Sequence, residues 1–328
     1  MSGCSALVRT AAFVVASAVL TACPQLLQDE FFVNIPGASV PVVSDGGAQE
    51  ASPDQLRDAS ASGGPKGMAH PPPGPGRDAG PPPPPNPIQA ALHSALVHRY
   101  RFDADAPLRD SVGGEDATAV GGATISDGAA VLAGTSPGQY IDLPNGLLAN
   151  LSNASFEVWA SWEVSDPSAT TAQWQRIFDF GRNPSTVEGQ QCVVDADATS
   201  LWLTPRNQSG KLELLCESCT GTTLLAPGSM SVGVAVQLVA VVDDDANLLR
   251  LYQNGEPVTS VAFAGSLSQI TTCSGRTAPC DWNNWLGRSQ HIEDPSFAGK
   301  ILDFRIYSAA LHADWIKGSY TAGPDADW

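Results

Sequence analysis

The stretch FEVWASWEV, residues 156–164, alternates without a break. Phe156, Val158, Ala160, Trp162 and Val164 fall on one side; Glu157, Trp159, Ser161 and Glu163 fall on the other. A period of two fits a pleated strand with one apolar face and does not fit an amphipathic helix. ALVHRYRFD (95–103) repeats the pattern, with Leu96, His98, Tyr100 and Phe102 opposite Arg99, Arg101 and Asp103. Further runs of this kind lie at 138–143, 175–180, 199–204, 211–216, 234–242, 248–253, 257–263 and 299–307. Between two of them stands Asn254-Gly255, a pair suited to a two-residue hairpin in which both turn positions take positive φ. Short alternating runs with such turns predict an antiparallel all-β sandwich. Only AALHADWIK (309–317) has a helical pattern.

The alternation begins after residue 91, and what precedes it is built differently. GPKGMAHPPPGPGRDAGPPPPPNP (64–87) offers almost nothing that can form a core. Proline fixes φ and removes a donor, so the segment reads as a semi-rigid polyproline spacer. At ~3.1 Å per residue, Pro71 to Pro87 alone reaches roughly 50 Å. At the start, Arg9 precedes an uncharged apolar run from Ala11 to Leu20, too short to span a bilayer and shaped like a secretory signal. Leu20-Thr21-Ala22-Cys23 resembles the lipobox of bacterial lipoproteins. That resemblance implies cleavage before Cys23, lipidation of Cys23, and anchoring in a membrane, at the outer membrane or cell surface. The chain thus divides into a signal peptide (1–22), a disordered Pro/Gly-rich tether (23–90) and a folded domain (91–328).

Charge narrows the partners. Seventeen basic and 34 acidic residues leave a net charge of −17. Such a surface repels nucleic acid and anionic headgroups, which excludes nucleic-acid binding as the expected role. Of seven cysteines, Cys4 leaves with the signal and Cys23 takes lipid. Cys192, Cys216, Cys219, Cys273 and Cys280 remain. Four of them are candidate thiolate ligands for zinc, but an exported chain meets an oxidising compartment and disulfides are favoured. Cys273 and Cys280 bracket a short loop they are expected to staple. Cys192 competes with Cys216 and Cys219 for a partner, so one thiol is left over.

HRYRFD with Asp110-Ser111-Val112-Gly113, then FEVWASW, RIFDFG, LVAVVDDDANLLRLYQNGEPV, NNWLGRS and FAGKILDFRIYSAALHADWI, resemble laminin-G-like domains of the concanavalin A-like superfamily. They occur in the expected order and span roughly 94–318. Val236 stands where such domains usually carry tryptophan. The resemblance implies a jelly roll of two curved antiparallel sheets. It also implies a calcium ion near the adjacent chain ends, with Asp103, Asp110 and Asp303 as ligands.

Catalytic signatures in the chain are few. GTSPG (134–138) fits G-x-S-x-G, but Pro137 after the serine has no N–H for an oxyanion hole. Glu157 and Glu163 share a strand face but stand ~20 Å apart, too far for a hydrolytic pair, and read as a solvated face. The acidic run 243–247 reads as a hairpin tip. The most promising ligand loop is CDWNNWLGRS (280–289). There Trp282 is placed to stack on a sugar, and Asp281, Asn283 and Asn284 to bond its hydroxyls. Trp285 is expected to start a strand and face the core. The expected role is non-covalent binding of a glycan or surface protein. A carbohydrate-active enzyme and a structural protein-interaction module are the alternatives.

Overall fold

The computed structural model describes residues 86–134, 138–183, 198–217, 221–273 and 279–327. The segments assigned from the sequence to a signal peptide and, up to residue 85, to a tether, with Cys23, Ser136 of the GTSPG run, Cys192 and Cys219, lie outside the described residues. The described part opens with helix α1 (Pro87–Ala95), whose first turn is capped by Asn86 Oδ1 accepting from the Ile88 N–H at 3.0 Å. Strands β1 (Leu96–Tyr100), β2 (Thr118–Val120), β3 (Thr124–Ser126), β4 (Ala129–Ala133), β5 (Tyr140–Leu143) and β6 (Ala154–Trp162) follow. Next come β7 (Phe178–Arg182), β8 (Thr199–Thr204), β9 (Glu213–Cys216) and β10 (Thr222–Leu225). Then β11 (Ala235–Asp243), β12 (Leu248–Gln253) and β13 (Glu256–Ala262) lead to a short helix α2 (Ser268–Thr271). Strands β14 (Asn283–Leu286) and β15 (Ala298–Tyr307) and helix α3 (Ala313–Ala322) complete the order.

Two antiparallel sheets result. The first runs β13-β12-β11-β6-β15-β4-β3, with β1 also paired to β15; the second runs β10-β9-β8-β7-β14-β5-β2. The inward residues of β6, Phe156, Val158, Ala160 and Trp162, meet Phe178 and Phe180 of β7 and Leu201 and Leu203 of β8. The Phe180 ring lies 5.5 Å from Phe156 and 5.6 Å from Phe304. Val236 is buried in this core. The Asn254-Gly255 hairpin forms as expected, with φ of 54° and 77°. The fold is a jelly-roll sandwich.

The first sheet's outward face is not solvated. Helices α1 and α3 lie across it, and Leu92, Val239, Val241, Tyr307, Leu311 and Ile316 form a second apolar cluster there. Helix α1 begins inside the span assigned from the sequence to the tether, and its Leu92 is fully buried. Glu157 is corrected in the same way: it is fully buried, because α3 covers the position that alternation alone turns to water. Glu163 is exposed, near Lys300. Among the described residues no helix is long and apolar enough to cross a membrane.

Candidate functional site

The loop singled out from the sequence packs inward. Asp281, Asn283 and Asn284 are fully buried, and Trp282 is half-buried. Asp281 accepts from the Leu148 N–H at 2.9 Å and from Asn284 Nδ2 at 3.2 Å, and burial pushes its carboxyl up. Asn284 Nδ2 also donates to the Pro144 carbonyl, and Asn283 Nδ2 to Gln290 Oε1. These side chains knit loops together; they do not form a polar rim open to solvent. Cys273 and Cys280 form the expected disulfide, with Cα atoms 6.1 Å apart. Cys216 is also disulfide-bonded.

The three aspartates assigned to calcium do not fit a shared ion. Asp110 lies beneath its own turn and accepts the N–H groups of Arg99, Val112, Gly113 and Glu115 and the ring nitrogen of His98. Burial pushes its carboxyl up, but these donors prevail and hold it at about 2. Asp303 is locked between Arg99 and Arg305, both of which would repel a cation. Asp103 is exposed, 3.3 Å from Arg101. Among the described residues no group of three such side chains is placed to hold a metal. The chain ends do meet, since β1 pairs with β15, but arginines fill the space between their carboxylates.

A different arrangement occupies the outward face of the second sheet. In β7, Phe178 and Phe180 point into the core, so Asp179 between them points out. Register places Asp179 opposite Trp285 of β14 on one side and Trp202 of β8 on the other. Trp285 is buried as expected, yet it belongs to this outer row and not to the core between the sheets. Asp142 of β5 extends the row.

Two cation–aromatic stacks frame it. The Arg176 guanidinium lies 3.9 Å from the Trp202 ring centre and 5.8 Å from that of Trp174. Arg288 lies 4.2 Å from Trp285 and 4.6 Å from Tyr140. Trp174 takes φ of 62°, a costly region for an aromatic residue and one that concentrates at functional sites.

Asp179 is fully buried. One oxygen accepts from the Gln290 N–H at 2.9 Å and faces Arg176 Nε at 3.5 Å. The other oxygen has no hydrogen-bond partner, and neither does Trp202 Nε1 or Trp285 Nε1. Desolvation outweighs Arg176 and the Gln290 N–H, and lifts the Asp179 carboxyl to about 7. Buried polar atoms without partners are rare, and three on one row of a sheet call for an explanation.

Segment Arg288–Asp294, between β14 and β15, crosses this face. Its Gln290 holds Asp179 and Asn283, and His291 Nε2 lies 3.3 Å from Glu217 just beyond β9. Asp294 pairs with Arg176 at 2.8 Å and accepts from Ser289 Oγ. The loop is closed at its base by the Phe297 N–H on the Gly287 carbonyl. Gly287 has φ of 92°, and a Cβ there would sit 2.3 Å from Leu132, so glycine is required.

Sequence reasoning placed Trp285, Asn283 and Arg288 in NNWLGRS and Arg176 and Asp179 in RIFDFG, but gave Arg176, Asp179 and Trp202 no binding role. One signal was present: a carboxylate between two phenylalanines in RIFDFG, and an indole between two leucines in LWLT, both in alternating strands.

Several solved structures are similar to the chain. Domain 4 of AbnA, a GH43 extracellular arabinanase from Geobacillus stearothermophilus in complex with arabinotriose, is 22% identical with a TM-score of 0.47. That match covers 68% of this chain and 97% of the other. The CBM40 of Ruminococcus gnavus IT-sialidase, bound to α2,3-sialyllactose, is 16% identical with a TM-score of 0.40, over 55% and 94%. The binding domain of botulinum neurotoxin serotype D is 15% identical with a TM-score of 0.49, over 72% and 52%, so the chain spans about half its length. No curated protein matches the chain. Residues 134–317 match the family model described as Concanavalin A-like lectin/glucanases superfamily (laminin G type), and the chain belongs to that family.

Proposed function

We propose that this domain binds a glycan non-covalently on the outward face of its second sheet. The observation that carries the reading is the row Trp285–Asp179–Trp202, where one carboxylate oxygen and two indole N–H groups lack partners. A sugar hydroxyl donates and accepts at once, and so matches an acceptor set between two donors. We further propose that the chain is exported and held to a membrane by lipid on Cys23; the disulfide Cys273–Cys280 supports an oxidising compartment.

A glycan array probed with the full chain tests the binding reading. Binding to a narrow set of sugars, weakened roughly tenfold in Trp202→Phe, is expected. Silence from folded protein overturns it and transfers the role to a protein partner. For the anchor, Cys23→Ala is expected to release the protein from membranes, and unchanged retention contradicts lipidation.

One observation favours a second reading. A carboxyl held at about 7 beside the charge of Glu217 suits a general acid of a glycoside hydrolase. Turnover of the bound glycan, abolished in Asp179→Asn, would establish it.

A further inference from the structure

Resting on that binding reading, we propose that segment Arg288–Asp294 is a strap that gates the face, latched over Asp179 in mildly acidic solution and released as pH rises. The geometry supplies both a latch and a hinge. The latch is a chain of contacts from three directions: Gln290 N–H on Asp179 of β7, His291 on Glu217 past β9, and Asp294 on Arg176 before β7. The hinge is Gly287, at the loop's hydrogen-bonded base. On the row that the latch engages through Asp179 lie the unmatched Asp179 oxygen and the Trp202 and Trp285 N–H groups. All three residues are buried, and in this proposal movement of the strap opens the row to a ligand.

The charged groups facing Asp179 are Arg176, Glu217 and His291; those facing His291 are Glu217, Asp179 and Arg176. With the strap closed, burial lifts Asp179 to about 7; with it open, water restores an ordinary carboxyl. His291 is lifted by its hydrogen bond to Glu217, which outweighs desolvation, and loses that partner on opening. Both groups bind a proton more tightly in the closed form. By linkage, protons therefore favour closure at each site, with the same sign. Between pH 5.5 and pH 8 the opening constant is expected to rise by on the order of ten- to thirtyfold through Asp179 alone.

Hydrogen–deuterium exchange of the full chain reads this without ligand. The Gln290 and His291 amides, corrected for intrinsic chemical exchange, are expected to lose about ten- to thirtyfold protection between pH 5.5 and pH 8. The core amides of β11 serve as reference. Asp179→Asn is expected to lose most of that pH dependence, the remainder coming from His291, and Asp294→Ala to loosen the strap at both pH values. Equal protection of the wild-type strap at the two pH values overturns the gate, as does a pH dependence undiminished in Asp179→Asn. A glycan identified on the array is expected to bind more tightly at pH 8 than at pH 5.5. Glycan binding with an unresponsive strap sinks the gate alone; a responsive strap with no glycan bound at either pH sinks the binding reading alone.

Discussion

Each sheet buries a carboxylate beside an arginine on its outward face, and the two are treated differently. On the first sheet Glu157 accepts from Gln237, Tyr307, Ser319, Trp159 and Arg305, so both its oxygens are matched. Burial pushes this carboxyl up, but Arg305 and those donors hold it below the usual range. Arg305 and Arg99 in turn donate to the carbonyls of Pro324 and its neighbours, which ties down the chain beyond α3. On the second sheet Asp179 keeps an unmatched oxygen and is pushed the opposite way. The first arrangement is closed and serves the fold. The second leaves hydrogen-bonding capacity unused, at a cost in stability that a partner from outside would offset.

The largest effect expected from this contrast is on the first sheet. Arg305→Met leaves Glu157 and Asp303 without their shared cation, and removing one partner of a buried pair costs about 3–5 kcal/mol. Urea unfolding measures it, and a loss under about 1 kcal/mol would show the network to be no more than a surface pair.

Asp179→Asn is expected to behave in the opposite sense. A carboxyl raised in the folded state contributes stability below its unfolded pKa and loses it as pH rises through the folded value. Asp179 therefore makes the wild type less stable at pH 8 than at pH 5, and His291, also raised, adds the same sign. The variant is expected to flatten that profile and to gain on the order of 1–3 kcal/mol at pH 8. A wild-type profile that rises from pH 5 to pH 8 would break the comparison.

The smallest effect concerns calcium. Because Asp110 is saturated by N–H donors and Asp303 by arginines, a chelator is expected to leave the melting temperature and glycan binding unchanged. A fall in either would restore the ion.

The sandwich was legible because alternation is a local property. FEVWASWEV, the Asn254-Gly255 turn and the run at 248–253 became β6, a hairpin and β12 with little displacement. Strands β2, β3 and β10 are three or four residues long, too short to show a period. Helix α1 starts within proline-rich sequence and gains its burial from α3 and the sheet, which are remote in the chain. The same remoteness hid the site. Asp281, Asn283 and Asn284 have sugar-binding chemistry, but Leu148, Pro144 and Gln290 claim them across the fold. Asp179 becomes conspicuous only when register sets it between two tryptophans and leaves one oxygen without a donor.

The most direct test of the contrast between the two faces is calorimetric titration of the full chain, at pH 8, with a glycan found on the array. Trp202→Phe, which deletes one unmatched N–H beside Asp179, is expected to weaken binding roughly tenfold while leaving stability within about 1 kcal/mol. Tyr307→Phe, which deletes one donor to Glu157 on the first sheet, is expected to lower stability and leave affinity unchanged. Affinity that follows Tyr307 and ignores Trp202 would contradict the assignment of the second sheet as the binding face.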